Sequence, residues 1–203
     1  MLAMGAGAAA FSATRRVVLA EGASEMLLLP SLIKATIGVP DLEYQVAPGL
    51  SEVAPSMYPE LDLEGARVAF LVDGDPGGRD IKNALLKSGV PESRIATLDA
   101  LTLENLLDPD AYRTVVAKLI NEANQNVSIE PSDVPGLSDP STNLWPALIA
   151  SWAEVQGYKL PGKRVIASRL VEEGLAKPSS DGAQMLRSLH ETLMGILASG
   201  GRK

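Results

Sequence analysis

The stretch Arg67-Val-Ala-Phe-Leu-Val-Asp-Gly-Asp-Pro-Gly-Gly78 decides the fold. Its first six residues form an apolar, β-branched run, which is typical of a buried strand. Two aspartates and three glycines follow in the next six residues, and a helical pattern then extends from about Arg79 to Lys87. The order of strand, tight loop and helix predicts one unit of an α/β domain with a parallel sheet.

The rest of the first half continues this order of elements. An apolar run that ends at Glu21-Gly22 predicts another strand, and the helical pattern after it stops at Gly38. Together, these segments predict strands over 16–20, 43–47 and 93–98 and a loop over 48–60.

The second half is helical in pattern. Apolar residues recur at helical spacing in four segments, and a Pro- and Gly-rich loop over 126–140 separates the first from the second. The predicted helices cover about 109–125, 141–157, 162–174 and 181–198. We therefore expect a flexible leader over 1–15, an α/β core over 16–108, and a helical part over 109–203 that completes or extends that core.

Composition excludes several kinds of chemistry. The 203 residues include no cysteine and one histidine, His190, so thiolate metal sites, disulfides and cysteine nucleophiles are excluded and histidine chemistry is poorly supplied. The net charge of −7 argues against a protein that coats nucleic acid through bulk positive charge. No apolar run approaches the roughly 20 residues that span a bilayer, so we expect a cytoplasmic protein without a membrane partner.

Basic residues are concentrated at the end of the chain. Residues 158–203 contain eight basic and four acidic residues, whereas the rest of the chain is strongly acidic. This imbalance indicates either a polyanion-binding surface beside an acidic centre or ordinary solvated helix faces.

Acidic residues follow two of the predicted strands at the points where the strands end. Glu21 closes the first strand and Glu25 lies one helical turn further on, while Asp73 and Asp75 close the central strand. Because the carboxyl ends of parallel strands face one crevice, we expect these carboxylates to lie close together. Such a cluster suits Mg²⁺ or Mn²⁺, and a pair of these ions can hydrolyse a phosphodiester bond.

Each acidic cluster taken alone also fits a solvated loop or a helix cap. A calcium loop of EF-hand type is excluded, because the twelfth position counted from Asp73 is Ala84 instead of glutamate. A phosphate-binding Walker loop is absent. A receiver-type phosphoacceptor domain fits poorly, because its acidic pair follows the first strand rather than a later one.

Taken together, the two acidic motifs resemble the Toprim domain of topoisomerases, primases, recombination proteins and old-type nucleases. The sequence over about 16–110 is most similar to that of the OLD (overcoming lysogenization defect) family. The matching stretches are Val18-Leu-Ala-Glu-Gly-Ala-Ser-Glu25, Leu71-Val-Asp-Gly-Asp-Pro-Gly-Gly78 and Thr102-Leu-Glu-Asn-Leu-Leu107. The resemblance implies a Toprim (Rossmann-like) parallel sheet flanked by helices, with a helical C-terminal extension.

The resemblance also implies a set of site residues. Two divalent ions, Mg²⁺ or Mn²⁺, would be held by Glu21, Glu25, Asp73, Asp75, Thr102 and Glu104. A lysine at the start of a late helix, which stabilises transition-state charge, matches Lys163. The expected catalytic residues are thus Glu21, Asp73, Asp75 and Lys163, and the expected DNA-binding residues are Lys159, Lys163, Arg164 and Arg169.

The function implied by the resemblance is metal-dependent DNA endonuclease activity. The alternative is a non-catalytic Toprim module that binds nucleic acid or a protein partner in DNA repair or recombination. Primase and topoisomerase chemistry is disfavoured, because 203 residues do not hold the additional domains that it requires. Full-length OLD proteins resemble an ATPase followed by Toprim, so an ATPase domain or subunit is a further expected partner, and an oligomer is left open.

Overall fold

The computed structural model describes residues 16–61, 67–137 and 141–199, and within them the chain has four β-strands and six α-helices. The strands are β1 (Arg16–Leu19), β2 (Gln45–Ala47), β3 (Arg67–Val72) and β4 (Ile95–Thr97). The helices are α1 (Ala23–Ile37), α2 (Pro76–Lys87), α3 (Pro109–Ala123), α4 (Trp145–Gln156), α5 (Lys163–Glu172) and α6 (Ser180–Ser199). The predicted leader over 1–15 lies outside the described residues.

The four strands form one parallel sheet in the order β2-β1-β3-β4. Helix α1 connects β1 to β2 on one side, and α2 connects β3 to β4 on the other. The chain therefore leaves the central pair, β1 and β3, in opposite directions. Ligands bind at such switch points, at the carboxyl ends of the strands. The predicted α/β fold, a parallel sheet flanked by helices, is confirmed.

Alternating side chains of the strands build a core on each face of the sheet. In β3, Val68, Phe70 and Val72 pack in a cluster that also holds Leu85 of α2. Ala69 and Leu71 pack on the opposite face, in a larger cluster. This alternation follows from the two-residue period of a strand, and burial of both faces explains why β3 is apolar from Val68 to Val72.

The helices after residue 108 share the larger cluster with the sheet. Helices α5 and α6 both contact α1, and α6 also contacts β1, β3 and β4. Leu186, Leu189 and Leu193 of α6 are buried at helical spacing within this cluster. Close packing extends to the start of α6, where a Cβ on Gly182 would lie 2.2 Å from the Leu106 carbonyl oxygen.

The element boundaries differ slightly from the predicted ones. Helix α2 begins at Pro76 instead of about residue 79, because Asp75 caps it and proline suits the first position of a helix. The predicted helix over 141–157 begins only at Trp145. In the described part of the chain, no helix combines the length and the apolar character needed to cross a membrane.

Candidate functional site

The ends of the two central strands are joined by a hydrogen bond between site residues. The Asp73 backbone N–H donates to Glu21 Oε1 at 2.8 Å. Leu19 pairs with Phe70 in the β1–β3 ladder, so the two strands end at nearly the same level of the sheet. The structure therefore brings the first glutamate and the first aspartate together at the switch point, where the sequence predicts them.

The loop after β3 depends on two glycines. A Cβ on Gly78 would lie 2.1 Å from the Asp73 carbonyl oxygen, and one on Gly74 would lie 2.4 Å from the Ala100 carbonyl oxygen. Both contacts are with backbone, which cannot move aside as a flexible side chain can. The same loop carries Asp75, whose Oδ1 accepts the Gly78 N–H at 2.7 Å and caps α2. The glycines thus allow the tight path that places both aspartates at the sheet edge.

Glu25 lies in the first turn of α1 and is buried. Its Oε2 accepts the Gly22 backbone N–H at 2.8 Å, which satisfies a free donor at the start of the helix. The helix-cap explanation of this residue therefore holds for one oxygen. The carboxylate is also part of the acidic cluster, since its charge raises the pKa values of Glu21, Asp73 and Glu104.

The turn at Leu103–Leu106 adds a second buried group of polar side chains. Glu104 is 3% exposed, and its Oε2 has no hydrogen-bond partner. Thr102 is also buried, and its hydroxyl donates to Asn105 Oδ1 at 3.2 Å. The structure therefore places both predicted residues of this motif next to each other.

Asn105 is a site-supporting residue to which the sequence analysis assigns no role. Its side-chain amide donates to the Asn143 carbonyl oxygen at 2.8 Å, and its Oδ1 accepts the Trp145 N–H at 3.1 Å. It thereby ties the turn that carries Glu104 to the start of α4. Its position within Thr102-Leu-Glu-Asn-Leu-Leu107 is the only signal in the sequence that points to it.

Lys163 is the first residue of α5 and is exposed. Its positive charge acts on both Glu21 and Glu104, and it lines a cleft together with Asp75 and Thr102. The structure therefore brings this distant lysine to the acidic cluster. Lys159 and Arg164 are exposed neighbours in the chain.

Arg169 lies in a different environment from Lys163. Its guanidinium binds both carboxylate oxygens of Glu122 at 2.9 Å and also contacts Glu173 at 3.5 Å. These ion pairs link α5 to α3, and contact of Arg169 with DNA stays a prediction. His190 also has a structural partner, the Tyr44 hydroxyl, 3.2 Å from its Nδ1.

Burial and mutual repulsion shift the pKa values of the cluster. Burial, followed by the charges of Glu21, Glu25, Glu104 and Asp75, raises the pKa of Asp73 to about 9. Burial also raises the pKa of Glu21, although the hydrogen bond from the Asp73 N–H opposes this effect. Burial raises the pKa of Glu104 as well, and the nearby Lys163 charge opposes it. The cluster thus brings carboxyl groups together where solvent compensates their charge poorly, which favours their protonated forms.

The donor chemistry of the cluster fits a hard divalent cation, because all its ligands are carboxylate or hydroxyl oxygens. The unpartnered Glu104 Oε2 is an oxygen that such an ion would satisfy. However, the described carboxylates are not arranged as a preformed metal site. Among residues 16–61, 67–137 and 141–199, no three Asp, Glu or His side chains are placed so that they could hold one ion. Backbone N–H groups hold one oxygen each of Glu21, Glu25 and Asp75, which leaves the second oxygen of each carboxylate as a potential ligand.

Comparison with known proteins shows similarity at the level of fold. No protein-family model matches the chain, and no curated protein matches it in sequence. The C-terminal region of the Burkholderia pseudomallei OLD protein is 16% identical, with a TM-score of 0.52 over 90% of this chain and 98% of that one. The C-terminal region of the Xanthomonas campestris pv. campestris OLD protein is 20% identical, with a TM-score of 0.51 over 93% and 97%. The chain therefore has the Toprim-like α/β fold of the C-terminal region of OLD proteins.

Proposed function

We propose that this protein is a Mg²⁺- or Mn²⁺-dependent DNA endonuclease of OLD type. The observation that carries the proposal is Glu104, a buried carboxylate with one oxygen that has no hydrogen-bond partner. Burial disfavours the charged form of this carboxylate, and the Lys163 charge and the Thr102 hydroxyl compensate only in part, since its pKa stays raised. A divalent cation shared with the neighbouring carboxylates would supply the missing compensation, and the similar fold of OLD C-terminal regions supports the same assignment.

The residues that would hold two such ions are Glu21, Glu25, Asp73, Asp75, Thr102 and Glu104. Bound there, the ions would neutralise charge and lower the pKa of a water for attack on phosphorus. Lys163 lies at the same cluster, and its ammonium would stabilise the negative charge that develops on the scissile phosphate. Glu21 has a second task, since its hydrogen bond to the Asp73 N–H holds the end of β3 in place.

Two tyrosines near the cluster, Tyr112 and Tyr58, are poorly suited to act as a protein nucleophile. Tyr112 is almost fully buried, and burial raises the pKa of its hydroxyl. The Tyr58 hydroxyl donates to the Leu50 carbonyl oxygen at 3.0 Å. Neither group is both exposed and activated, as a covalent mechanism requires.

DNA would reach the cluster along the start of α5. Lys159, Lys163 and Arg164 are exposed there, and lysine and arginine side chains position nucleic acid through its phosphates. We include an ATPase domain or subunit as a further partner in the proposal, because the structurally similar chains are C-terminal regions of OLD proteins.

Cleavage of supercoiled plasmid tests the proposal. We expect nicking with Mg²⁺ or Mn²⁺ and none with chelator, and Asp73→Ala or Glu104→Gln should lower the rate at least ~100-fold. Asp110→Asn is the matched control, because Asp110 is an exposed aspartate in the first turn of α3 and should leave the rate unchanged. Equal rates in the Asp73→Ala and Asp110→Asn proteins would contradict the proposal.

A second candidate function is a non-catalytic module that binds nucleic acid or a protein partner. The observation that favours it is the spacing of the described carboxylates, which do not form a three-ligand cage. It predicts DNA binding without cleavage at any Mg²⁺ or Mn²⁺ concentration, so measuring binding and nicking in the same samples separates the two functions.

A further inference from the structure

A cleft of about 540 Å³ opens beside the acidic cluster, and most of its lining lies outside the residues proposed to hold metal or phosphate. Its apolar lining includes the buried side chains of Tyr112, Ile149 and Ile166. Ala147 and Ala150, one turn apart on α4, are exposed and form part of its rim. The volume lies in the range of sites that enclose small organic ligands, about 300–1,000 Å³.

Asp75, Thr102 and Lys163 make the end of the cleft near the strands polar. The cleft therefore joins an apolar chamber to the place where, in the proposed function, a phosphate is held. A ligand that suits both parts has a flat, largely apolar body attached to an anionic group. A nucleotide has this form, with its phosphate at Lys163 and its base in the chamber.

The wall of the chamber is fixed before a ligand arrives. Tyr112 packs on Trp145 with ring centroids 4.5 Å apart, and the Trp145 indole N–H donates to the Pro135 carbonyl oxygen at 3.1 Å. Asn105 holds the Trp145 backbone N–H from the turn that carries Glu104. A preformed wall favours tighter binding of a ligand, because few side chains have to become ordered when the ligand binds.

We propose that this cleft takes the base of an unpaired nucleotide next to the scissile phosphate, which makes single-stranded DNA the preferred substrate. The inference rests on the proposed function. A base within a duplex is stacked and paired, so extruding it costs free energy that a single strand does not pay in full. A single strand avoids most of that cost, so it fills the cleft more readily than a duplex does.

The test fills the cleft without touching the acidic cluster. Ala150→Phe places a ring at an exposed rim position, where it need not disturb the buried core. Val155→Phe is the matched control, because Val155 is on the same helix, is 82% exposed and does not line the cleft. The probe is a single-stranded oligonucleotide containing 2-aminopurine, whose fluorescence reports the environment of one base, with chelator present to prevent cleavage.

The expected result has two parts. Wild-type and Val155→Phe proteins should change the 2-aminopurine signal, and Ala150→Phe should bind the oligonucleotide at least ~10-fold more weakly, since it blocks the contacts of the base. With Mg²⁺, wild type should cut the single strand at least ~10-fold faster than the matching duplex, and Ala150→Phe should lose this preference.

The two ways of failing are distinguishable. Nicking that requires Asp73, together with equal rates on single strand and duplex and no effect of Ala150→Phe, overturns the base-binding cleft and leaves the nuclease intact. A 2-aminopurine signal that Ala150→Phe abolishes, without metal-dependent cleavage of any substrate, supports the cleft and overturns the nuclease.

Discussion

At the scale of single residues, the site is a cluster of like charges that the fold places together at a cost. Asp73 has a pKa of about 9 because it is buried and four carboxylates surround it. Glu104 is buried with one oxygen left without a partner. Groups whose local energies are unfavourable are typical of functional sites, where a ligand supplies the compensation.

The raised pKa of Asp73 predicts an unusual dependence of stability on pH. Its pKa is about 9 in the folded protein against an ordinary value of 3.8, so between these values the folded state binds one more proton than the unfolded state. The free energy of unfolding should therefore fall as pH rises, by up to ~1.4 kcal/mol per pH unit from this group. Asp73→Asn removes the contribution and should be the more stable protein at pH 8.

Urea denaturation at pH 5 and pH 8, in chelator, measures this difference. For each protein, the change in the free energy of unfolding between the two pH values is measured, and the change in Asp73→Asn is subtracted from that in wild type. The contributions of the other titrating groups largely cancel in this difference. A difference of zero, or one of opposite sign, would show that Asp73 is ionised in the folded protein.

At the scale of elements, the loop after β3 is set by backbone packing rather than by side-chain preference. Gly74 and Gly78 are each in contact with backbone atoms that a Cβ would overlap. The loop therefore has one path, and that path starts α2 at Pro76 with Asp75 as its cap. The position of Asp75 therefore serves helix capping as well as its proposed role in metal binding.

Gly78→Ala should destabilise the protein by about 1–3 kcal/mol, because its Cβ would lie 2.1 Å from the Asp73 carbonyl oxygen. Gly136→Ala is the control, since no atom lies within 4 Å of its Cβ position, and its effect should stay within ~0.5 kcal/mol. Thermal or urea unfolding compares the two. Equal stability of the two variants would mean that the loop is free to move away from the strand end.

Much of this element structure was predictable from local patterns. The β1 and β3 segments are β-branched apolar runs, and the parallel order of the strands brings Glu21 to Asp73 by topology alone. The position of Lys163 was predictable only through family resemblance, because its approach to Glu104 depends on how α5 packs on α1. The same long-range packing pairs Arg169 with Glu122, which no local pattern indicates.

At the scale of the whole molecule, the helical second half and the sheet are parts of one core. Helix α6 packs on three strands and α5 packs on α1, so Lys163 is carried by an element that α1 holds against the shared core. The two halves should therefore unfold together.

Leu193→Ala tests this coupling, because Leu193 is fully buried in α6 within the shared cluster. We expect a loss of about 2–5 kcal/mol, whereas Val165→Ala, at a half-exposed position of α5, should change stability by no more than ~0.5 kcal/mol. Fluorescence of Trp145 and Trp152, both in α4, should follow the same transition as far-ultraviolet circular dichroism. Two separate transitions would show that the helical part is an independent unit.

The central claim is that the strand-end carboxylates bind divalent cations, and titration with Mn²⁺ followed by calorimetry or electron paramagnetic resonance tests it most directly. The wild-type protein should take up two Mn²⁺ ions saturably, Asp110→Asn should do the same, and Asp73→Asn should lose this binding. If wild type shows no saturable uptake, or if Asp73→Asn binds Mn²⁺ as well as wild type does, the acidic cluster is not a metal centre.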